Sequence, residues 1–369
     1  MSRRRRLLSL CLGVPEWGDA NPWAYALHEI VGQAGFEALL VNLLTDSDVF
    51  YFRHLLGDDC EDPRRLGNVS RCPIRDPVLH GEAALGDTVA AFAPDVAIVW
   101  EPTTARLLRR AAAQLPLVLV GTHCARLERL VADGAVRDYL GFRSAVERGV
   151  QFTVDGGDPE LEAIRACDLM ILPSELARFT QERLFPAHVG KMYARTISAA
   201  EPMSAEANRF LHLRRPFAER DIDVLFVAGR WDAPARQLRL VDRMCARFPH
   251  RRIELVGESS ALTRARHRGV RRRSDLYEML GRTKVVVAPG LADPAPAGLF
   301  EASAMACNLV ASPNCGPWEL CPEELRVPNA STAAFVEQIE RALAQPFADD
   351  RQRFLDGGTS ELVETLAVL

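Results

Sequence analysis

Residues 285–319 read VVVAPGLADPAPAGLFEASAMACNLVASPNCGPWE. An apolar run of β-branched residues, 285–288, ends at Pro289-Gly290. A loop rich in proline and alanine follows. A helical stretch, 299–306, leads into a second short apolar run, 309–312. Strand, helix, strand with continuously apolar strands is the pattern of a parallel βαβ unit covered on both faces.

The same alternation extends in both directions. Upstream in the C-terminal half, 224–227 and 253–256 read as strands, with helices at 237–247 and 276–280. Downstream, a helix is expected over 332–344. In the N-terminal half the strand candidates are 7–12, 38–43, 95–100, 117–121, 169–172 and 192–197. Helices are expected at 23–34, 104–114 and 175–184. Short strands separated by helical patterns predict α/β architecture with parallel sheets. Residues 46–86, with Asp58-Asp59, Pro63, Gly67, Pro73 and Pro77, show little periodicity and read as a long functional loop or a small subdomain. A polar boundary near 199–220 divides the chain into domains of 1–205 and 206–348. Residues 349–369 are expected to return as a helix to the first domain. The predicted fold is two doubly wound Rossmann-like domains facing a central cleft.

Composition sets limits on partners. The chain has 369 residues, 48% apolar and 25% charged, the balance of a soluble globular protein. Acidic residues number 49 and basic residues 45, so there is no electrostatic footprint for nucleic acid. Lys191 and Lys284 are the only lysines, so arginine is the residue to expect wherever a cation is needed. Nine cysteines, irregularly spaced and without a CxxC pair, suggest neither a zinc site nor a disulfide framework. No metal ligand set and no cofactor are expected. The basic stretch Arg3 to Arg6 precedes an apolar segment too short and too poor in small residues for a signal peptide. No run of about 18 apolar residues suggests a membrane span. The cytoplasm is the expected compartment, and peripheral contact with a membrane stays open.

Open α/β sheets bind ligands beyond the carboxyl ends of their strands. Three places in the C-terminal half qualify. Gly229-Arg230 follows the strand at 224–227, with Arg236 a turn or two later, and arginine forks suit paired phosphate oxygens. Asp293 to Glu301 joins a strand to a helix. Its Gly298 lets backbone N–H groups approach an anion, and Glu301 lies in the first helical turn as read from the sequence. The third place is the turn from Ser312 to Gly316. Singly, each also reads as an ordinary surface loop or helix start.

In order and spacing, these pieces resemble the C-terminal domain of retaining GT-B glycosyltransferases of the large family 4 type. The elements are Gly229-Arg230, then Arg236, then an acid-x7-Glu element from Asp293 to Glu301. Ala304-Met305-Ala306-Cys307-Asn308 follows, and then Val310 through Glu319. The resemblance runs from about Asp223 to Ala344 and is architectural before that. It implies transfer of a sugar from a nucleotide-diphosphate sugar to a small-molecule or glycan acceptor, with retention and without a metal.

Residue by residue, it implies that Arg230 and Arg236 neutralise the diphosphate, joined by backbone N–H groups at Gly298 and Leu299. Glu301 would bind the donor ribose, and Asp293 would face the transferred sugar. His123, at the end of the strand at 117–121, would contact that sugar near its reacting carbon. The loop at Gly18-Asp19-Ala20 would approach the diphosphate. The sequence departs from the family pattern in several places. Asp293 is one methylene shorter than the usual Glu, and Pro294 and Pro296 stiffen its loop. Arg236 lies six residues after Arg230 rather than five. Asn308 stands where glycine is usual, and Gly18 lacks a glycine neighbour. Two alternatives accompany the reading. One is a catalytically inactive binding or scaffold protein of the same fold. The other is an epimerase or phosphorylase. The run Arg271-Arg272-Arg273 is expected to be a solvated charged face.

Overall fold

The computed structural model describes residues 3–12, 24, 27–28, 31–44, 69–73, 77–121, 124–134, 136, 138–147, 158–194, 209–232, 236–261, 263–269, 271–293, 296–316, 318, 321–329, 331–346 and 359–369.

Among the described residues, twelve strands form two parallel sheets. The first holds β1 (Arg6–Leu12), β2 (Glu37–Leu44), β3 (Val69–Pro73), β4 (Val96–Val99), β5 (Leu117–Val120), β6 (Leu169–Leu172) and β7 (Met192–Ala194). Their spatial order is β3-β2-β1-β4-β5-β6-β7. The second holds β8 (Ile222–Arg230), β9 (Ile253–Glu258), β10 (Arg266–His267), β11 (Thr283–Ala288) and β12 (Asn308–Ala311). Its order is β10-β9-β8-β11-β12. Each sheet starts at its middle, runs to one edge, then returns and runs to the other. This is the doubly wound pattern, with a topological switch between β1 and β4 in one sheet and between β8 and β11 in the other.

The strand sequences explain the layering. β4 reads VAIV and β5 reads LVLV, and every one of these residues is buried. Only a sheet covered by helices on both faces accommodates such runs. The covering helices bury one stripe each. Helix Pro102–Ala111 starts on proline and packs Thr104, Ala105, Leu107 and Leu108 inward, with Arg109 and Arg110 in its last turn. Several helix starts are capped as their sequences suggest. Asp158 accepts from the backbone N–H groups of Glu160 and Leu161, Ser174 from Ala177, and Ser331 from Ala334. Each cap satisfies a donor the helix itself leaves open.

Of residues 46–86, only 69–73 and 77–86 are among the described residues, and these differ from either expectation. β3 lies within this stretch as the edge strand of the first sheet, and helix Pro77–Phe92 begins there. The described part is therefore built into the first sheet rather than being a loop or a separate subdomain. Its weak periodicity reflects the short edge strand and a helix carrying Gly81 and Gly86. The last helix, Thr359–Val368, is held near the chain's beginning. Arg5 Nη1 donates to the Leu366 carbonyl at 3.3 Å, and Leu366 is buried in the same apolar cluster as Leu7 and Leu40.

Candidate functional site

The switch point of the second sheet lies between the carboxyl ends of β8 and β11, and local sequence bends the chain there. β8 carries one extra residue against β9 between Val227 and Arg230, a bulge at its carboxyl end. The bulge depends on Gly257 opposite. Gly257 has φ of +126°, and a Cβ there would fall 1.8 Å from the Ala228 carbonyl oxygen. Trp231 then locks the strand end, its indole N–H donating to the Val256 carbonyl at 2.8 Å. Arg230 is the last residue of β8, paired in register with Glu258.

Beyond β11 the chain turns through Gly290 to Asp293. This segment is clamped by the turn after β12. The Ser312 hydroxyl donates to the Gly290 carbonyl at 2.6 Å, and Gly316 N donates to the Asp293 carbonyl at 2.6 Å. Asp293 also bridges to Cys315 as an isolated parallel pair. The second and third places named from the sequence thus form one substructure. Leu291 and Ala292 are buried among apolar residues of the first sheet and its helices, so the Asp293 segment sits where the two halves of the chain touch.

Two carboxylates dominate the site, and each is held by an arginine. Asp293 is buried and its Oδ2 is ion-paired with Arg236 Nη1. Glu301 is 2% exposed, and its Oε1 lies 2.7 Å from Arg273 Nη1. Helix Ala297–Ala304 begins at Ala297 behind Pro296, without a side-chain cap. Gly298 and Leu299 are its second and third residues, and a Cβ on Gly298 would meet Val227 at 3.1 Å. Glycine there lets the helix start close against the bulged end of β8.

The helix start corrects one expectation. Because it begins two residues earlier than the apolar pattern indicates, Glu301 is its fifth residue and no acid lies in the first turn. Glu301 therefore gains little from the helix dipole, and its charge is compensated by Arg273 instead. Arg273 is the second correction. Arg272 is exposed as a solvated run requires, but Arg273 begins helix Arg273–Gly281 and turns its guanidinium to Glu301. Nothing in the run's composition separates Arg273 from its neighbours. Its spacing to Tyr277, one helical turn on, is the only signal.

The first half contributes less to the described geometry. Gly18 and His123 lie outside the described residues. The segment beside His123 is nevertheless anchored. The Cys124 thiol donates to Glu160 Oε2 at 3.8 Å, the Arg126 backbone N–H donates to the same oxygen at 3.1 Å, and Gln181 Nε2 donates to Oε1 at 2.6 Å. Burial pushes the Glu160 carboxyl up, and these hydrogen bonds oppose the push without cancelling it. Glu160 was not singled out from the sequence; the Asp158-Pro159 helix start before it is the signal that places it. Among the described residues no cluster of three or more His, Cys, Asp or Glu is arranged to hold a metal ion, and no helix is long and apolar enough to cross a membrane.

Solved structures share this architecture along nearly the whole chain. Sucrose-phosphate synthase from Thermosynechococcus elongatus superposes with a TM-score of 0.63 at 16% identity, covering 98% of this chain and 95% of that one. The chain has the GT-B fold. The catalytic domain of starch synthase IV from Arabidopsis thaliana, bound to ADP and acarbose, gives 0.59 at 9% identity over 99% and 98%. UDP-GlcNAc 2-epimerase from Neisseria meningitidis, bound to UDP-GlcNAc, gives 0.54 at 10% identity over 99% and 100%. No protein-family model and no curated protein matches the sequence. Similarity at these identities is similarity of fold, and it spans enzymes of different reactions.

Proposed function

We propose that the chain is a glycosyltransferase that takes a sugar from a nucleotide-diphosphate sugar and transfers it, with retention, to a small-molecule or glycan acceptor. The observation that carries the reading is the gathering at one sheet switch point of an arginine-paired acid, Asp293, and an arginine-paired buried acid, Glu301. An uncapped helix N-terminus at Ala297 lies between them.

In this reading the segment 206–348 binds the donor and 1–205 faces the acceptor. Arg230 and Arg236, with the backbone N–H groups of Gly298 and Leu299, take the diphosphate. Glu301 accepts from the ribose hydroxyls, Asp293 from the transferred sugar. Gly18 and His123 approach from the other half, His123 supporting the sugar as positive charge builds on it. The bond from the anomeric carbon to the diphosphate oxygen breaks. The acceptor oxygen bonds to the same face of that carbon, and its proton passes to a diphosphate oxygen. Positioned arginines and a helix N-terminus then carry the charge a metal ion would otherwise carry; removing one such donor typically costs ~2.7–4 kcal/mol of barrier, or about 10²- to 10³-fold in rate.

The test is a panel of UDP-, ADP- and GDP-sugars. Slow donor hydrolysis, lost in Glu301→Gln and Arg230→Ala while both variants stay folded by circular dichroism, is the expected result. The released sugar keeps its anomeric configuration by NMR. Stabilisation by a nucleotide without turnover would indicate a binding protein instead. A free epimer as product would indicate the reaction named for the epimerases that share the fold.

A further inference from the structure

Arg273 belongs to no role assigned above. It opens helix Arg273–Gly281 and reaches across to helix Ala297–Ala304. Its guanidinium lies 5.5 Å from the Tyr277 ring centroid, and Nη2 donates to the Tyr277 hydroxyl at 3.4 Å. Tyr277 is fully buried and stacks on Phe210, with centroids 4.5 Å apart and planes 11° from parallel. The side chain is thus braced along its length before it meets Glu301 at 2.7 Å.

Packing does not require this ion pair. The two helices bury Leu276, Tyr277 and Leu280 on one side and Leu299, Phe300, Ala302 and Ala304 on the other. An apolar contact in place of a buried Arg–Glu pair is commonly as stable or more so, because the desolvation of two charges is avoided. A carboxylate held by a fixed guanidinium has a further property. It is kept in one place, and it carries enough lone pairs to accept from a ligand's hydroxyls as well.

We propose that Arg273 is a positioning residue that holds Glu301 in place and aimed at a vicinal diol, and thereby sets the preference for a ribonucleotide over its deoxy forms. The proposal rests on the donor reading of Glu301 given above. It predicts a specificity effect, which a purely structural ion pair would not produce. The diphosphate contacts lie elsewhere, so affinity for a diphosphate without ribose stays constant when Arg273 changes.

The experiment is calorimetric titration of the full chain with UDP, ADP and GDP, with the 2′-deoxy and 3′-deoxy forms of each, and with inorganic pyrophosphate. Wild type is expected to prefer the best ribonucleotide over its deoxy forms by about tenfold or more, the range of a charge-assisted hydrogen bond. Arg273→Gln lowers that preference to roughly threefold or less with pyrophosphate affinity unchanged, and Arg273→Lys restores part of it. Arg273→Met keeps the stem against Tyr277 and replaces Arg273→Gln if the latter does not fold. Full ribose preference in Arg273→Gln and Arg273→Met overturns the proposal and leaves the donor reading intact. Equal binding of ribo and deoxy forms by wild type, unaffected by Glu301→Ala, overturns both.

Discussion

The amino ends of β8 and β9 carry three carboxylates, Asp221, Asp223 and Glu254; the carboxyl side of the same sheet carries Asp293 and Glu301. Asp221 accepts from Arg282 at 2.9 and 2.6 Å and pairs also with Arg252 and Arg215. Asp223 faces Lys284 at 3.1 Å, Arg251 at 3.7 Å and the Arg252 backbone N–H at 3.0 Å. Glu254, fully buried, takes Arg268 through both oxygens at 2.7 Å and Arg252 at 2.8 Å. At the other end, Asp293 is paired with Arg236 and Glu301 with Arg273. The same residue types are therefore arranged to opposite ends. A carboxylate saturated by several fixed cations gains nothing from a ligand. One at the sheet's switch point can share its arginine, or its own lone pairs, with an incoming diphosphate or diol.

The largest effect expected from this contrast is at Glu254. Glu254→Ala leaves two converging arginines without their acid and should cost about 3–5 kcal/mol of stability, the usual result of halving a buried ion pair. Nucleotide affinity should not change. The pH dependence has a definite sign. Burial acts to raise the Glu254 carboxyl, but the hydrogen bonds from Arg268 and Arg252 outweigh it, and the group lies below its ordinary value. A carboxyl lowered by folding contributes stability that is present above the ordinary carboxylate range and lost as pH falls through the folded value. Urea midpoints of wild type and Glu254→Gln should therefore differ most near neutrality and converge in acid. Parallel curves would break the assignment of this pole to stability.

Asp293→Asn probes the opposite pole and should act mainly on function. Removing the carboxylate removes the internal competitor for Arg236. A nucleoside diphosphate should then bind roughly three- to tenfold more tightly, while turnover of the nucleotide sugar falls because the sugar loses its acceptor. The melting temperature should fall less than in Glu254→Ala. Weaker nucleotide binding would mean that Asp293 orients Arg236 for the diphosphate rather than competing for it.

What the sequence revealed, and what it concealed, follows the same division. The strands β4, β5, β6 and β11 announced themselves because burial on both faces demands continuous apolar runs. The candidate site was legible as an order of loops, since Arg230, Arg236, Asp293 and Glu301 each follow a readable strand. Pairings were not legible. That Arg236 meets Asp293, and that Arg273 rather than Arg271 or Arg272 meets Glu301, depends on where a bulge and a helix start direct the chain, and no periodicity encodes that. The two-residue strand β10 and the edge strand β3 were missed because neither is long or buried enough to leave a pattern. The helix start at Ala297 was misplaced because Ala-Gly carries no apolar moment, although the preceding Pro296 was the available signal.

Asn308 gives the smallest effect and the sharpest boundary between the poles. It stands where the family pattern carries glycine, inside a run otherwise close to that pattern, and so invites a catalytic explanation. Its position argues against one. Asn308 is the first residue of β12, at the amino end of the strand, and its amide donates to the Ala342 carbonyl at 2.6 Å and the Gln345 carbonyl at 2.8 Å. It closes the carboxyl end of helix Thr332–Ala344, whose last carbonyls have no partner within the helix. The left-handed residue in this turn is Ala306, with φ of +54°, so glycine at 308 would answer no conformational need. Asn308→Gly should cost about 1 kcal/mol, the worth of a cap or a single buried hydrogen bond, with donor affinity and turnover unchanged. A melting curve and one kinetic assay decide it. A tenfold loss of turnover at unchanged melting temperature would carry function across to the amino end and dissolve the distinction between the poles.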